Sequence, residues 1–318
     1  MSGPDTPAIP RFPVALAAPD LSAWMEGNTG VRGFTTAEAA APGPHVMIVS
    51  LMHGNEIGGA VVLDRLLRAG LRPRRGRLTV GFANLAAYAR FDPAHPTASR
   101  FLDEDLNRVW DAAVLDGPRG SRELDRARAM RPLIDRADVL LDLHSMLWPS
   151  DPLILSGRSA KGRRLAMALG VPELVVADEG HQTGPRLIDY ARFAEEHTAA
   201  AACLVEAGQH WQPDTVAVMQ GAVDALLRDP TPGRVVAAPA RSRCAEVTMA
   251  VTATTAGFAF VQSFRGGDVV PRRNTLIALD GTSEIRTPHD DCLLVMPSLR
   301  ASRGHTAVRL ARFVEPGG

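Results

Sequence analysis

A histidine and a glutamate stand three residues apart in SLMHGNEIGG, Ser50–Gly59. On the first turn of a helix, residues at this spacing face one side, so a single ion can touch both His53 and Glu56. A lone His-x-x-Glu pair recurs by chance and does not mark a metal by itself. A hydrolytic zinc site takes three protein ligands from histidine and carboxylate side chains and leaves a position open for water. LLDLHS supplies a third candidate, His144, 88 residues beyond Glu56 (144 − 56). Asp142 lies two residues earlier on the same strand and shares its face, so it can orient the imidazole through the ring nitrogen that does not reach a metal.

A base is also available. CLVEAGQH places Glu206 directly after a short apolar run. An unpaired carboxylate is costly to bury, so this one needs a partner or a task, and beside zinc it suits general acid–base work. The alternative is an edge carboxylate at a strand end. His181, His197 and His210 can line the same site or belong to the polar surface. SRFLDEDLNRVW holds Arg100, Asn107 and Arg108 among acids. Two readings stay open: arginines that bind a substrate carboxylate or an oxyanion, or a solvated loop pairing with Asp103, Glu104 and Asp105.

Rigid elements must hold these groups. Residues 45–51 read as a buried strand, and Ile57, Val61, Leu63, Leu66 and Leu67 as a helix stopped by Gly70. Gly54, Gly58 and Gly59 permit tight turns and close backbone approach between them. Further strands are expected at Leu78–Phe82, Val139–Leu143, Leu153–Leu155, Leu174–Val176 and Cys203–Val205. Helices are expected at Arg122–Asp138, Lys161–Leu169, Leu187–Glu196 and Thr215–Leu227. This alternation predicts an α/β fold with a mixed, mostly parallel sheet and helices on both faces. In such sheets functional groups gather at the carboxyl ends of strands, where His53, Glu56 and His144 fall.

After Arg228 the texture changes. DPTPGR is rich in turn formers, and short apolar segments follow at Val247–Val251, Phe258–Val261, Thr275–Leu279 and Cys292–Met296. The sequence therefore predicts a first domain over 1–235 and a small all-β domain over 236–318.

The bulk composition excludes several classes. The 318 residues carry 35 basic and 35 acidic side chains, so no net charge favours nucleic acid or an acidic membrane. Aromatic content of 5% offers few stacking platforms for bases. Three cysteines without metal-ligand spacing fit a reduced compartment. Prolines interrupt MSGPDTPAIPRFP where a signal peptide needs an apolar core, and no apolar run approaches the ~20 residues of a membrane span. A soluble cytoplasmic protein is expected, with no nucleic-acid or membrane partner; assembly into a homo-oligomer is left open.

The order HGNE, R-x6-NR, DLH, then a strand ending in V-E-x-G resembles the aspartoacylase/succinylglutamate desuccinylase family, related to the zinc carboxypeptidases. The resemblance runs from Ser50 to Trp211, and the small C-terminal β domain fits it. It implies a carboxypeptidase-like fold and one zinc ion per chain on His53, Glu56 and His144. Glu206 would activate water at the metal and then protonate the leaving amine. Arg100 would polarise the scissile carbonyl, while Asn107 and Arg108 would hold a substrate carboxylate. The implied reaction is hydrolysis of an N-acyl amino acid, a small molecule. The alternatives are a metallocarboxypeptidase cleaving C-terminal peptide bonds and a non-catalytic binding protein that keeps the fold.

One departure bears on specificity. Family members acting on doubly acidic substrates carry extra arginine and tyrosine shortly before the catalytic glutamate; here EEHTAAAACLV has no arginine. DEGHQTGPRLIDY, Asp178–Tyr190, is expected to form a pocket wall in which His181 or Arg186 replaces those contacts. GGDVVPRRNTLIAL resembles a biotinyl/lipoyl-like hairpin but has no lysine for covalent attachment. In the family, the C-terminal domain caps the active-site channel.

Overall fold

A computed structural model describes residues 12–181, 183–228 and 241–315. Its strands are β1 Phe34–Glu38, β2 His45–Ser50, β3 Arg77–Phe82, β4 Val139–Met146, β5 Leu153–Leu155, β6 Leu174–Ala177, β7 Ala201–Gln209 and β8 Arg243–Thr252. Six more follow: β9 Phe258–Phe260, β10 Val269–Val270, β11 Leu276–Asp280, β12 Ser283–Arg286, β13 Cys292–Val295 and β14 Thr306–Val314. The helices are α1 Ile57–Arg68, α2 Leu85–Tyr88, α3 Ala112–Asp116, α4 Arg122–Ile134, α5 Ala160–Leu169, α6 Ala191–Ala194 and α7 Pro213–Arg228.

Eleven strands form one sheet in the order β1-β3-β2-β4-β7-β5-β6-β8-β14-β13-β10. The strands β3, β2, β4 and β7 run parallel, as do the pairs β5–β6 and β6–β8; β5 runs antiparallel to β7. The expected mixed α/β sheet is therefore present, mostly parallel from β1 to β8, whereas β8, β14, β13 and β10 pair antiparallel. Its central strands are apolar on both faces because helices cover both. Met47, Val49 and Leu140 face a core with Leu124, Ala127 and Met130 of α4. Val46, Ile48 and Leu141 face the other core, with Leu63 of α1, Met167 of α5 and Met219 of α7.

The C-terminal strands have their own core of Val251, Phe258, Ile277, Leu294, Val308 and Leu310. They are nevertheless joined to the main sheet, because β8 continues the ladder from β6 through Leu174↔Arg243 to Ala177↔Glu246. Ala245, Leu293, Val295 and Ala311 also reach into the first core. The expected boundary at 235/236 lies outside the described residues. Among the described residues no helix is long and apolar enough to cross a membrane.

Two helices differ from the sequence expectation for reasons of tertiary structure. α4 ends at Ile134 rather than Asp138, and Asp138 instead joins β2, accepting the His45 backbone N–H on its carboxylate at 2.9 Å. The segment expected as one helix over Leu187–Glu196 breaks at Tyr190, which is extended (φ −58°, ψ 139°). Its ends are held elsewhere: the Leu187 N–H donates to Asn107 Oδ1 at 2.8 Å, and the Tyr190 hydroxyl donates to Asp135 at 2.8 Å.

Candidate metal centre and active site

The loop between β2 and α1 is shaped by close packing. A Cβ on Gly54 would lie 2.5 Å from the Ala87 carbonyl carbon, and one on Gly59 would lie 2.8 Å from Ser50 Cβ and 3.1 Å from Leu143 Cβ. Gly59 therefore lets α1 settle onto β2 and β4, which brings Glu56 to the end of β4. Gly58 meets only ordinary contacts, so just two of the three glycines are sterically required.

His53, Glu56 and His144 are all buried and converge. His53 Nδ1 lies 2.7 Å from Glu56 Oε1, and His144 Nδ1 lies 3.0 Å from Glu56 Oε2. One ligand atom from each falls within 4.8 Å of the others. Two imidazole nitrogens and a carboxylate at this spacing can hold a metal ion, and that donor set suits zinc. The remaining ring nitrogens are held from behind: His144 Nε2 by Asp142 Oδ2 at 2.9 Å and His53 Nε2 by Asp105 Oδ1 at 2.9 Å. Such partners fix ring orientation and raise ligand basicity. The Ser145 backbone N–H donates to Glu56 Oε2 at 3.1 Å, holding the carboxylate itself.

Strand register brings Glu206 to the cluster. In the parallel β4–β7 pair, His144 lies opposite Glu206 and Asp142 opposite Leu204, so the four side chains share a face. Both strands continue past the expected ends, and an irregularity follows His144, where Met146 pairs with Gln209. Glu206 Oε2 is buried with no hydrogen-bond partner among the described residues. Burial pushes its carboxyl up to about 8, with the Glu56 charge adding to the effect and His144 opposing it. A carboxyl poised near neutrality can take and return a proton.

A cavity of about 220 Å³ opens over this floor. Arg100, half-buried, points Nη1 at Glu56 Oε1 (3.3 Å) and donates from Nη2 to Asp105 Oδ2 (3.1 Å). Arg100 thus both pairs with an acid of its own loop and lines the cavity. The other two acids of that loop pair outward, Glu104 with Arg119 at 2.8 Å and Asp103 with Arg122. Asn107 lines the cavity with its Nδ2 3.5 Å from His144 Nε2, while its Oδ1 is taken by the Leu187 N–H. Arg108 also lines the cavity, donating from Nη1 to the Asn107 carbonyl at 2.6 Å. Burial lowers its guanidinium to about 10, so it remains a cation at neutral pH.

His181 and Arg186 both face this cavity. His181 is driven down to about 3 by burial and by Arg108, so it is a neutral ring. Arg186 has most of its donors committed: Nη1 and Nη2 to Asp178 at 3.0 and 2.6 Å, and Nε and Nη2 to Asp189 at 2.7 and 3.0 Å. His197 sits on the surface, paired with Glu195 at 3.2 Å.

Two groups, Asp105 and Arg309, escape the sequence reading as parts of the site. Asp105 looked like any acid of an acidic loop, and nothing local distinguishes it. Of the two sequence readings of His210, site lining or polar surface, the structure shows the first: it is buried in the cavity wall with Nδ1 2.8 Å from Ser145 Oγ. Arg309 is set in TAVRLARFV; a cation inside an otherwise apolar strand was the available signal.

Over residues 42–229, more than half of the chain, the sequence matches the succinylglutamate desuccinylase/aspartoacylase catalytic domain. It is 31% identical over 149 residues to a probable aspartoacylase of Parasynechococcus marenigrum, covering 44% of this chain and 48% of that protein. It is 27% identical over 201 residues to a succinylglutamate desuccinylase of Burkholderia orbicola, covering 58% and 56%. The chain thus spans about half the length of the curated relatives it matches. Among solved structures, a succinylglutamate desuccinylase from Vibrio cholerae superposes with a TM-score of 0.67 at 19% identity, over 88% of this chain and 85% of that one. Murine aminoacylase 3 superposes with a TM-score of 0.61 at 18% identity, over 87% and 97%. At these identities the structural likeness speaks to the fold alone.

Proposed function

Because this chain belongs to the succinylglutamate desuccinylase/aspartoacylase family, we propose that it hydrolyses the amide bond of a small N-acyl amino acid at a zinc ion. The observation that carries this reading is the pairing of His144 with Glu206 across β4 and β7, beside the buried His-Glu-His cluster. A divalent ion on His53, Glu56 and His144 would supply a Lewis acid and make water nucleophilic near neutral pH.

The chain's own groups do the rest. Glu206 takes a proton from the attacking water and passes it to the amine as the carbon–nitrogen bond breaks, leaving a carboxylate and a free amine. Arg100 donates to the carbonyl oxygen as negative charge develops there. Arg108 and the amide nitrogen of Asn107 hold the substrate carboxylate. Arg186 braces Asp178 and Asp189 and has little donor capacity left for substrate. The strands of 236–318 form a unit that caps the site; Met296, Pro297 and Thr306 of that region line the cavity.

Screening the zinc-loaded protein against N-acyl amino acids and dipeptides tests the reading. Release of a free amino acid from an N-acyl substrate is expected. Faster cleavage of dipeptides would favour a carboxypeptidase instead, and no turnover with zinc bound would overturn the hydrolase assignment.

A further inference from the structure

Arg309 lies on β14, opposite Ala250 of β8 and Val295 of β13, and lines the cavity from the side of the C-terminal strands. Its neighbours Val308 and Leu310 point into the C-terminal core, so strand alternation turns Arg309 the other way, toward the site. The residue is only 9% exposed. Among the described residues its one ion-pair partner is Asp178, 3.5 Å from Nε. Asp178 is already held bidentately by Arg186, at 2.6 and 3.0 Å. Among the described residues, neither Nη of Arg309 has a protein partner.

Charge counting at this wall sharpens the point. Arg108, Arg186 and Arg309 stand there against two carboxylates, Asp178 and Asp189, because Asp105 is engaged by His53 and Arg100. One buried positive charge is left over. A buried guanidinium without a counter-ion is costly, and a fork of free N–H donors facing a cavity matches a carboxylate's geometry. Among the described residues Arg108 likewise bonds through Nη1 alone, to a neighbouring carbonyl. His181, which also lines this wall, is neutral. Asp105 and Glu206 act on Arg108 and Arg309 from the floor of the site, but among the described residues neither forms an ion pair with them, so no carboxylate closes either fork.

We propose that Arg309 is a substrate-binding residue which, with Arg108, closes on the carboxylate of the N-acyl amino acid, so that β14 makes the enzyme require an acidic substrate. The inference rests on the proposed hydrolase reading but has its own readout. Arg309→Met and Arg309→Lys are compared with the parent on N-acetylalanine and N-acetylalaninamide, which differ only in the carboxylate. Charge-assisted hydrogen bonds contribute roughly 1.5–3 kcal/mol, so Arg309→Met should raise KM for the acid roughly 10- to 100-fold with kcat changed far less. The preference for acid over amide should collapse by the same factor. Lysine should recover part of it, keeping the charge but losing the fork.

Equilibrium titration of both compounds into Glu206→Gln, with and without Arg309→Met, separates this inference from the hydrolase reading. If the parent hydrolyses nothing but acid binding still depends on Arg309, the carboxylate site stands and the reaction assignment fails. Arg309→Met that lowers Tm and weakens acid and amide equally would make Arg309 a brace for Asp178 and overturn the proposal. A Glu206→Gln protein with no preference for the acid would overturn it as well.

Discussion

The floor and the wall of the cavity are built in different ways. On the floor, His53, Glu56, His144 and Glu206 sit at the ends of three adjacent parallel strands, and each is placed by its own strand or the turn that follows it. On the wall, Asp178, Arg186, Asp189 and Arg309 come from a loop after β6 and from β14, and ion pairs hold them together. The floor is arranged by backbone register, whereas the wall is arranged by side-chain electrostatics. Hydrolytic chemistry needs the first kind of rigidity, and recognition can vary through the second without disturbing it.

That contrast sets an order of sensitivity. His144→Ala or His53→Ala should remove bound zinc and all turnover while the sheet still forms; elemental analysis beside circular dichroism checks this, and zinc binding that persists unchanged would remove these residues as ligands. Asp105→Asn and Asp142→Asn should keep the ligands but weaken zinc roughly 10- to 100-fold, as loss of an orienting carboxylate does elsewhere. Competition with a chelator of known affinity measures it, and an unchanged affinity would deny the pair any role in tuning the site. Gly59→Ala should cost about 1–3 kcal/mol in urea unfolding, because the added methyl meets Ser50 and Leu143; full stability would mean that α1 is free to shift.

A subtler effect separates the two regions by pH. Glu206 is raised from an ordinary 4.5 to about 8, mainly by burial. A carboxyl whose folded pKa exceeds its unfolded one favours the folded state while protonated, so its contribution is complete below about 4.5 and is lost as pH climbs toward 8. Metal-free protein should therefore lose stability across that window, and Glu206→Gln should flatten the loss. A parallel decline in the variant would assign the effect to other groups. The smallest change is expected outside both regions: Arg122→Ala breaks an exposed pair with Asp103 and should leave zinc content and turnover as they were.

Legibility in the sequence follows the same division. The floor could be read because apolar strand runs end where the chemistry begins, and two-residue periodicity links Asp142 to His144. The sheet class could be read from the alternation of strands and helices. Arg108 and Arg186 appeared as candidates, but whether an arginine is free or already paired depends on Asp178 and Asp189, which approach it only after folding. Asp105 was hidden for that reason, since its partner His53 is 52 residues away. The break at Tyr190 likewise comes from bonds to Asn107, Arg131 and Asp135 that no local periodicity encodes. The union of the C-terminal strands with the main sheet depends on the β6–β8 ladder, 69 residues apart at Leu174↔Arg243 (243 − 174).

The central claim is that Glu206 acts on a proton beside a metal held by His53, Glu56 and His144. Measuring zinc content and N-acyl amino acid hydrolysis on one preparation each of the parent and Glu206→Gln tests it most directly. The expected result is about one zinc per chain in both proteins, with turnover falling roughly 10²- to 10⁴-fold in the variant. Turnover at the parental rate in zinc-loaded Glu206→Gln would contradict the account.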